Sequence, residues 1–112
     1  MSDELTLSLP EKEALNLTEA AIAIDNARQT GDHSALAAAL EHNLQLWTAI
    51  RTLASRPDSS MPGAVVDNLC RLADFIASTT LKAGAQIGEE AINTLININF
   101  QISEGLLEGN RR

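Results

Sequence analysis

Residues 32–57 read DHSALAAALEHNLQLWTAIRTLASRP and carry a clear helical pattern, from which the fold class can be argued. Asp32 is a good helix N-cap, and Arg56-Pro57 ends the pattern that follows it. We therefore expect a helix over about residues 32–55. The apolar positions recur every three or four residues, the period of one helix face: Leu36, Leu40, Leu44 or Asn43, Trp47, Ile50 and Ala54.

Upstream, a second amphipathic helix is predicted over about residues 10–30. Pro10 can occupy its first turn, where a missing N–H is harmless. The helix should end at Thr30-Gly31, because glycine tolerates the left-handed conformation that closes a helix. The apolar stripe consists of Leu17, Ala21 and Ile24, flanked by Leu15 and Ile22.

Downstream, the pattern predicts a third helix over about residues 60–83. Ser60 is its expected N-cap, and Pro62 should lie in its first turn. Gly84 and Gly88 then bracket a plausible joint. The apolar face of this helix consists of Val65 or Val66, Leu69, Leu72 or Ala73, and Ile76.

The final segment, about residues 91–108, fits two patterns. One is a helical stripe formed by Ala91, Leu95, Ile98, Ile102 and Leu106. The other is a strand-like alternation of Ile and Phe with polar residues over 96–103. A lone strand has nothing to pair with, so we expect a helix at least from Asn99 onward, and residues 91–98 stay open. The predicted fold is all-α, one domain over residues 1–112: a small bundle of three main helices plus a shorter C-terminal helical segment.

Composition narrows the function. The chain has 112 residues and a net charge of −7, and its bases form no cluster. Nucleic acids and anionic membranes are bound by clustered cations, so neither is an expected partner. Cys70 is the only cysteine and is expected to be a small buried hydrophobe without a disulfide. The acidic start lacks the features of a signal peptide, and no apolar run is long enough to span a membrane. We expect a soluble, cytoplasmic protein.

The sequence carries no recognisable catalytic constellation. His33 and His42 lack the spacing of metal ligands. Glu89 and Glu90 are neighbours and point apart on a helix, so acids at a helix start are the better interpretation. We expect no enzyme activity, no metal and no cofactor, and a protein that works by binding another protein.

Trp47 has two interpretations. A large aromatic residue is usually mostly buried, which favours a core anchor between the second and third helices. Tryptophan is also enriched at the centres of protein interfaces, which would make Trp47 a contact in a groove that receives a partner helix.

Three stretches resemble the FlaF family, regulators of flagellin production in flagellated bacteria. They are Leu44–Ile50 (LQLWTAI), Met61–Leu69 (MPGAVVDNL) and Leu95–Leu106 (LININFQISEGL). The Glu- and Ala-rich helix over Glu11–Arg28 is similar to the opening helix of that family. Asn97 departs from the family pattern, which carries an acid at this position.

The resemblance implies a cytoplasmic helper of flagellin synthesis or secretion that acts alongside the regulator FlbT, as an adaptor or chaperone that binds flagellin. Two alternatives remain: a regulator of flagellin mRNA translation that acts with FlbT, and a structural helical module of a larger assembly. The sequence does not indicate an oligomeric state. The candidate protein-binding residues are Leu44, Trp47, Arg51, Ile96, Ile98, Asn99, Ile102 and Leu106.

Overall fold

The computed structural model describes residues 9–57, 61–83 and 86–110. They form four α-helices: α1 (Leu9–Thr30), α2 (His33–Ala54), α3 (Gly63–Ala83) and α4 (Glu89–Asn110). The described residues contain no strand, so the all-α prediction is confirmed. The expected division into three main helices and a shorter C-terminal segment is not exact, because α4 has 22 residues, as many as α1 and α2.

The turn between α1 and α2 follows from two residues. Gly31 has a φ of 71°, the left-handed conformation in which only glycine avoids a steric penalty from Cβ. Asp32 then caps α2, because its side chain accepts a hydrogen bond from the Ala35 N–H at 3.0 Å. Both predictions for this turn are confirmed.

The third helix starts later than the sequence pattern suggested. It begins at Gly63, so Pro62 stands immediately before the helix and not within its first turn. The Pro62 carbonyl accepts hydrogen bonds from the Val65 and Val66 N–H groups at 3.0 Å each. The predicted cap Ser60 lies outside the described residues.

The last segment is helical throughout, which settles the open assignment of residues 91–98. The Gly88 carbonyl accepts from the Ile92 N–H at 3.0 Å and starts the helical ladder. Glu89 and Glu90 lie in the first turn, where acids favour the positive end of the helix dipole. The alternation of residues 96–103 therefore reflects helical positions on different sides of α4.

The four helices pack unequally. The helix α1 contacts both α2 and α4 along its length, and α3 packs on α2. In contrast, α3 hardly touches α4. The helices α1 and α4 are antiparallel, because Ser103 near the end of α4 bonds to Ala14 near the start of α1. At the other end, Arg28 bonds to Glu89.

The core collects the predicted stripes. Leu17 and Ile24 of α1, Leu40 of α2, Ile76 of α3 and Leu95 of α4 are among its fully buried side chains. On α2, Asn43 and not Leu44 is the inward residue; on α3, Ala73 is buried and Leu72 is only half-buried. None of the described helices is long and apolar enough to cross a membrane.

Candidate protein-binding surface

A buried polar network joins α1, α2 and α4. The indole N–H of Trp47 donates to Asn99 Oδ1 at 2.9 Å. Asn99 Nδ2 donates in turn to the Leu17 carbonyl at 3.0 Å and to Asn43 Oδ1 at 2.7 Å. Trp47, Asn43 and Asn99 are all 0% exposed. The side-chain amide of Asn99 therefore joins three helices. Without it, a buried group such as the Trp47 indole N–H would be left unpaired in the interior, which would lower the free energy of unfolding.

A second pair of contacts extends this network along α1 and α4. Ser103 is buried, and its hydroxyl lies 2.9 Å from both the Ala14 carbonyl and Thr18 Oγ1. Buried polar groups are satisfied only in one register of the two helices. The network thus fixes the axial position of α4 against α1.

Three of the predicted contact residues lie in the interior. Trp47 and Asn99 are 0% exposed and Ile96 is 9% exposed, so none of them is available to a partner in this structure. Trp47 is a core residue, as the first of its two interpretations had it. However, its polar partner is on α4, and not on the third helix.

Three other predicted residues share one flank of α4. Ile98, Ile102 and Leu106 are spaced by four residues and are half-buried at the edge of the core. Asn93 and Ser103 bond to α1 from the other flank of the same helix. Helical spacing therefore places the three apolar side chains on a different flank of α4 from the one that bonds to α1.

The matching flank of α3 is also apolar. Cys70 and Asp74 of α3 contact α2, through Ser55 and Arg51 respectively. Val65, Leu72 and Phe75 fall on the opposite flank of α3 by helical spacing. Val65 is 41% exposed and Phe75 is 45% exposed, whereas Leu72 is half-buried against the core.

These two flanks define what we call the α3–α4 seam, an apolar surface between two helices that hardly touch. Its residues are Val65, Leu72, Phe75, Ile98, Ile102 and Leu106. The sequence analysis placed the α4 half among its candidates and left out the α3 half. The sequence did contain a signal for the α3 half of the seam. Leu72 and Phe75 are three residues apart, beside the buried stripe of the third helix, and this spacing indicates a second apolar flank.

The remaining two candidates, Leu44 and Arg51, lie on the flank of α2 that meets α3. Arg51 Nε donates to Asp74 Oδ1 at 3.1 Å, and both side chains are largely exposed. Leu44 is two helical turns earlier and is half-buried. Leu44 and Arg51 therefore lie on α2, on neither of the two flanks that define the seam.

The other residues with chemical potential do not converge on a reactive site. His33 and His42 are exposed, and Cys70 is half-buried beside Ser55 instead of fully buried as expected. No group of acids, histidines or cysteines within the described ranges could hold a metal ion. Partial burial of Glu13 raises the pKa of its carboxyl above the ordinary value of 4.5. One of its oxygens is buried without a hydrogen-bond partner.

Comparison with known proteins gives one positive result. Neither the curated proteins nor the solved structures contain a match. The sequence model of the family described as flagellar protein FlaF matches residues 2–106, nearly the whole chain. That range includes the buried network and both walls of the α3–α4 seam. The chain therefore belongs to the flagellar protein FlaF family.

Proposed function

We propose that this protein is a cytoplasmic adaptor that binds flagellin through the α3–α4 seam and thereby supports flagellin synthesis and secretion. The family supports a role in flagella, and one structural observation supports the mode of binding. That observation is the presence of exposed or half-buried apolar residues on one flank of α3 and on one flank of α4, two helices that hardly touch.

The seam has the chemistry of a site that receives a helix. An amphipathic helix binds in a groove by placing residues at spacings of three and four against apolar walls. Here each wall is itself a helical flank, with Ile98 and Ile102 on one side and Phe75 on the other. An unassembled flagellin is expected to expose an amphipathic terminal helix, which such walls would cover.

The rest of the molecule supports this use of the seam. The buried network holds α4 in one register on α1, so the α4 wall is fixed before a partner arrives. The α3 wall is attached to α2 and has little contact with α4, so it can adjust to its partner. The net charge of −7 keeps a complex with an apolar client in solution and favours basic segments.

The test is co-elution of the purified full-length protein with flagellin at micromolar concentrations. A matched pair of variants on α3 sharpens it: Phe75→Ser changes the seam, and Leu81→Ser changes a 75% exposed side chain on the other flank of the same helix. We expect the wild type and Leu81→Ser to co-elute with flagellin. Phe75→Ser should bind about tenfold more weakly, a typical loss for one apolar contact residue.

Two results would contradict the proposal. Failure of the wild-type protein to co-elute would remove direct flagellin binding. Equal binding by Phe75→Ser and Leu81→Ser would move the site away from the seam. The same experiment with a FlbT-like regulator in place of flagellin decides whether that regulator, instead of flagellin, is the partner of the seam.

A further inference from the structure

A second apolar surface lies on the outer side of the α1–α4 pair, away from the seam. Leu15 and Ile22 of α1 are 51% and 48% exposed, and Phe100 and Leu107 of α4 are 38% and 36% exposed. The two residues of each helix are seven positions apart, which places them on one side of that helix. We call these four residues the outer stripe.

The hydrogen bonds between the helices give the relative positions of the four side chains. Ser103 lies beside Ala14 and Thr18, and Arg28 lies beside Glu89. In this antiparallel register Phe100 falls between Ile22 and Leu15 along the axis, and Leu107 follows beyond Leu15. The side chains thus alternate between α1 and α4 over about 16 Å, the length of three helical turns.

Acidic side chains border the outer stripe in a repeated pattern. Glu19 stands between Leu15 and Ile22 on α1, and Glu104 stands between Phe100 and Leu107 on α4. Both are exposed, and neither has an ion-pair partner within the described ranges. Glu104 also lines a shallow depression beside Leu107.

Among the described residues near the outer stripe, acidic side chains outnumber basic ones. Glu11 and Lys12 lie at one end and offset each other in charge. At the other end Arg28 pairs with Asp25 and with Glu89, so its charge is already matched within the fold. An approaching partner therefore meets apolar side chains bordered by Glu19 and Glu104, whose charges have no ion-pair partner within the described ranges.

From this arrangement we propose that the outer stripe is a second docking surface, specific for an amphipathic helix with basic residues on both edges of its apolar face. The charge pattern selects this occupant over the others. A second copy of this chain would bring like-charged borders together, and an anionic membrane surface would be repelled in the same way. A basic helix gains both apolar burial and opposite charges.

The probe is a synthetic helical peptide with a leucine stripe flanked by lysines, compared with the same peptide carrying glutamates in place of the lysines. Binding to the full-length protein is measured by titration calorimetry. We expect the lysine peptide to bind and the glutamate peptide not to bind. Affinity for the lysine peptide should fall as salt increases, because exposed charges are screened.

A pair of phenylalanine variants separates the two surfaces. Phe100→Ser on the outer stripe should weaken the lysine peptide about tenfold and leave flagellin co-elution unchanged. Phe75→Ser on the seam should do the opposite. Circular dichroism melting of both variants checks that each remains folded. The variant Leu15→Ser repeats the test on α1, the other helix of the outer stripe.

Several outcomes would overturn the inference. Equal binding of both peptides would mean nonspecific apolar attraction, and an unchanged affinity of Phe100→Ser and Leu15→Ser would place the peptide elsewhere. A wild-type dimer that Phe100→Ser dissociates would make a second copy the occupant. If Phe100→Ser abolishes flagellin co-elution, the outer stripe is the flagellin site, which ends the idea of two surfaces and keeps direct flagellin binding.

Discussion

The α1–α2–α4 part of the molecule and the helix α3 are held in different ways. The first is joined by buried hydrogen bonds that centre on Asn99 and Ser103. The helix α3 is attached to α2 by apolar contacts, with one exposed ion pair between Arg51 and Asp74. Polar contacts in the interior specify one register, whereas apolar contacts are non-directional.

This difference separates a fixed wall from an adjustable one. The α4 side of the seam is set by the network, and the α3 side can shift on α2 without leaving a buried polar group unpaired. Under the proposed function, a site with one adjustable wall would accommodate partner helices with side chains of different size. Substitutions in each region test this difference.

The largest effect is expected from Asn99→Leu. The change removes the partner of the Trp47 indole N–H, the Leu17 carbonyl and Asn43 Oδ1. The Leu17 carbonyl keeps its backbone bond within α1, but the indole N–H and Asn43 Oδ1 lose their partner in the interior, which should lower the free energy of unfolding by about 4 kcal/mol. Urea denaturation followed by the fluorescence of the single tryptophan measures it.

Asn97→Leu is the control for that experiment, because Asn97 is exposed on the same helix. Its effect should stay within about 0.5 kcal/mol. Similar losses for the two variants would mean that the Asn99 network does not hold the three helices together.

The next largest effect is expected from Ile76→Ala on α3. Ile76 is 0% exposed, and truncation of a buried isoleucine should lower the free energy of unfolding by about 3 kcal/mol through lost burial and a cavity. Hydrogen exchange should show faster opening of α3 amides than of α1 and α4 amides, because α3 is attached on one side only. Uniform acceleration in all four helices would contradict the contrast between the two regions.

Glu13→Gln is expected to have a smaller effect and to raise the free energy of unfolding instead of lowering it. Because burial raises the pKa of Glu13 above 4.5, the folded chain holds this proton at pH values where the unfolded chain has lost it. The native carboxyl therefore lowers stability progressively as pH rises from 4.5 through the raised pKa. Glu13→Gln should melt at a higher temperature than the wild type at pH 7, and the gain should disappear below pH 4.5.

Glu19→Gln removes the same charge from an exposed position of α1 and serves as the matched control. Equal gains for both variants at pH 7 would assign the effect to net charge and not to burial of Glu13.

The smallest effect is expected at the ion pair between α2 and α3. Both partners are exposed, so Arg51→Ala should change the free energy of unfolding by no more than about 0.5 kcal/mol. A double-mutant cycle with Asp74→Ala measures the coupling. A coupling above about 1 kcal/mol would show that α3 has a strong polar attachment after all.

Much of the fold could be predicted because each signal was local. The stripe on α2, the glycine stop at Gly31 and the Asp32 cap all depend on residues within a few positions of each other. The length of α4 was underestimated because its Ile and Asn residues also match a strand period, and propensity alone does not choose between them.

The candidate site was harder to predict than the fold. Asn99 and Ile98 are neighbours in the sequence, yet Asn99 is buried at the junction of three helices and Ile98 lies at an edge. An asparagine inside and an isoleucine at the edge reverse the usual preference. The reversal depends on Trp47 and Leu17, which are 52 and 82 residues away in sequence from Asn99.

The helices, their main apolar faces, the acidic character and the family follow from local features of the sequence, because periodicity, caps and charge are properties of short segments. Which apolar residues remain accessible depends on the packing of the helices. Burial depends on which helices meet, and here α4 meets α1 closely and α3 hardly at all. That pairing buries Trp47 and Asn99, leaves the α3–α4 seam open, and places Leu15, Ile22, Phe100 and Leu107 together on the outer side.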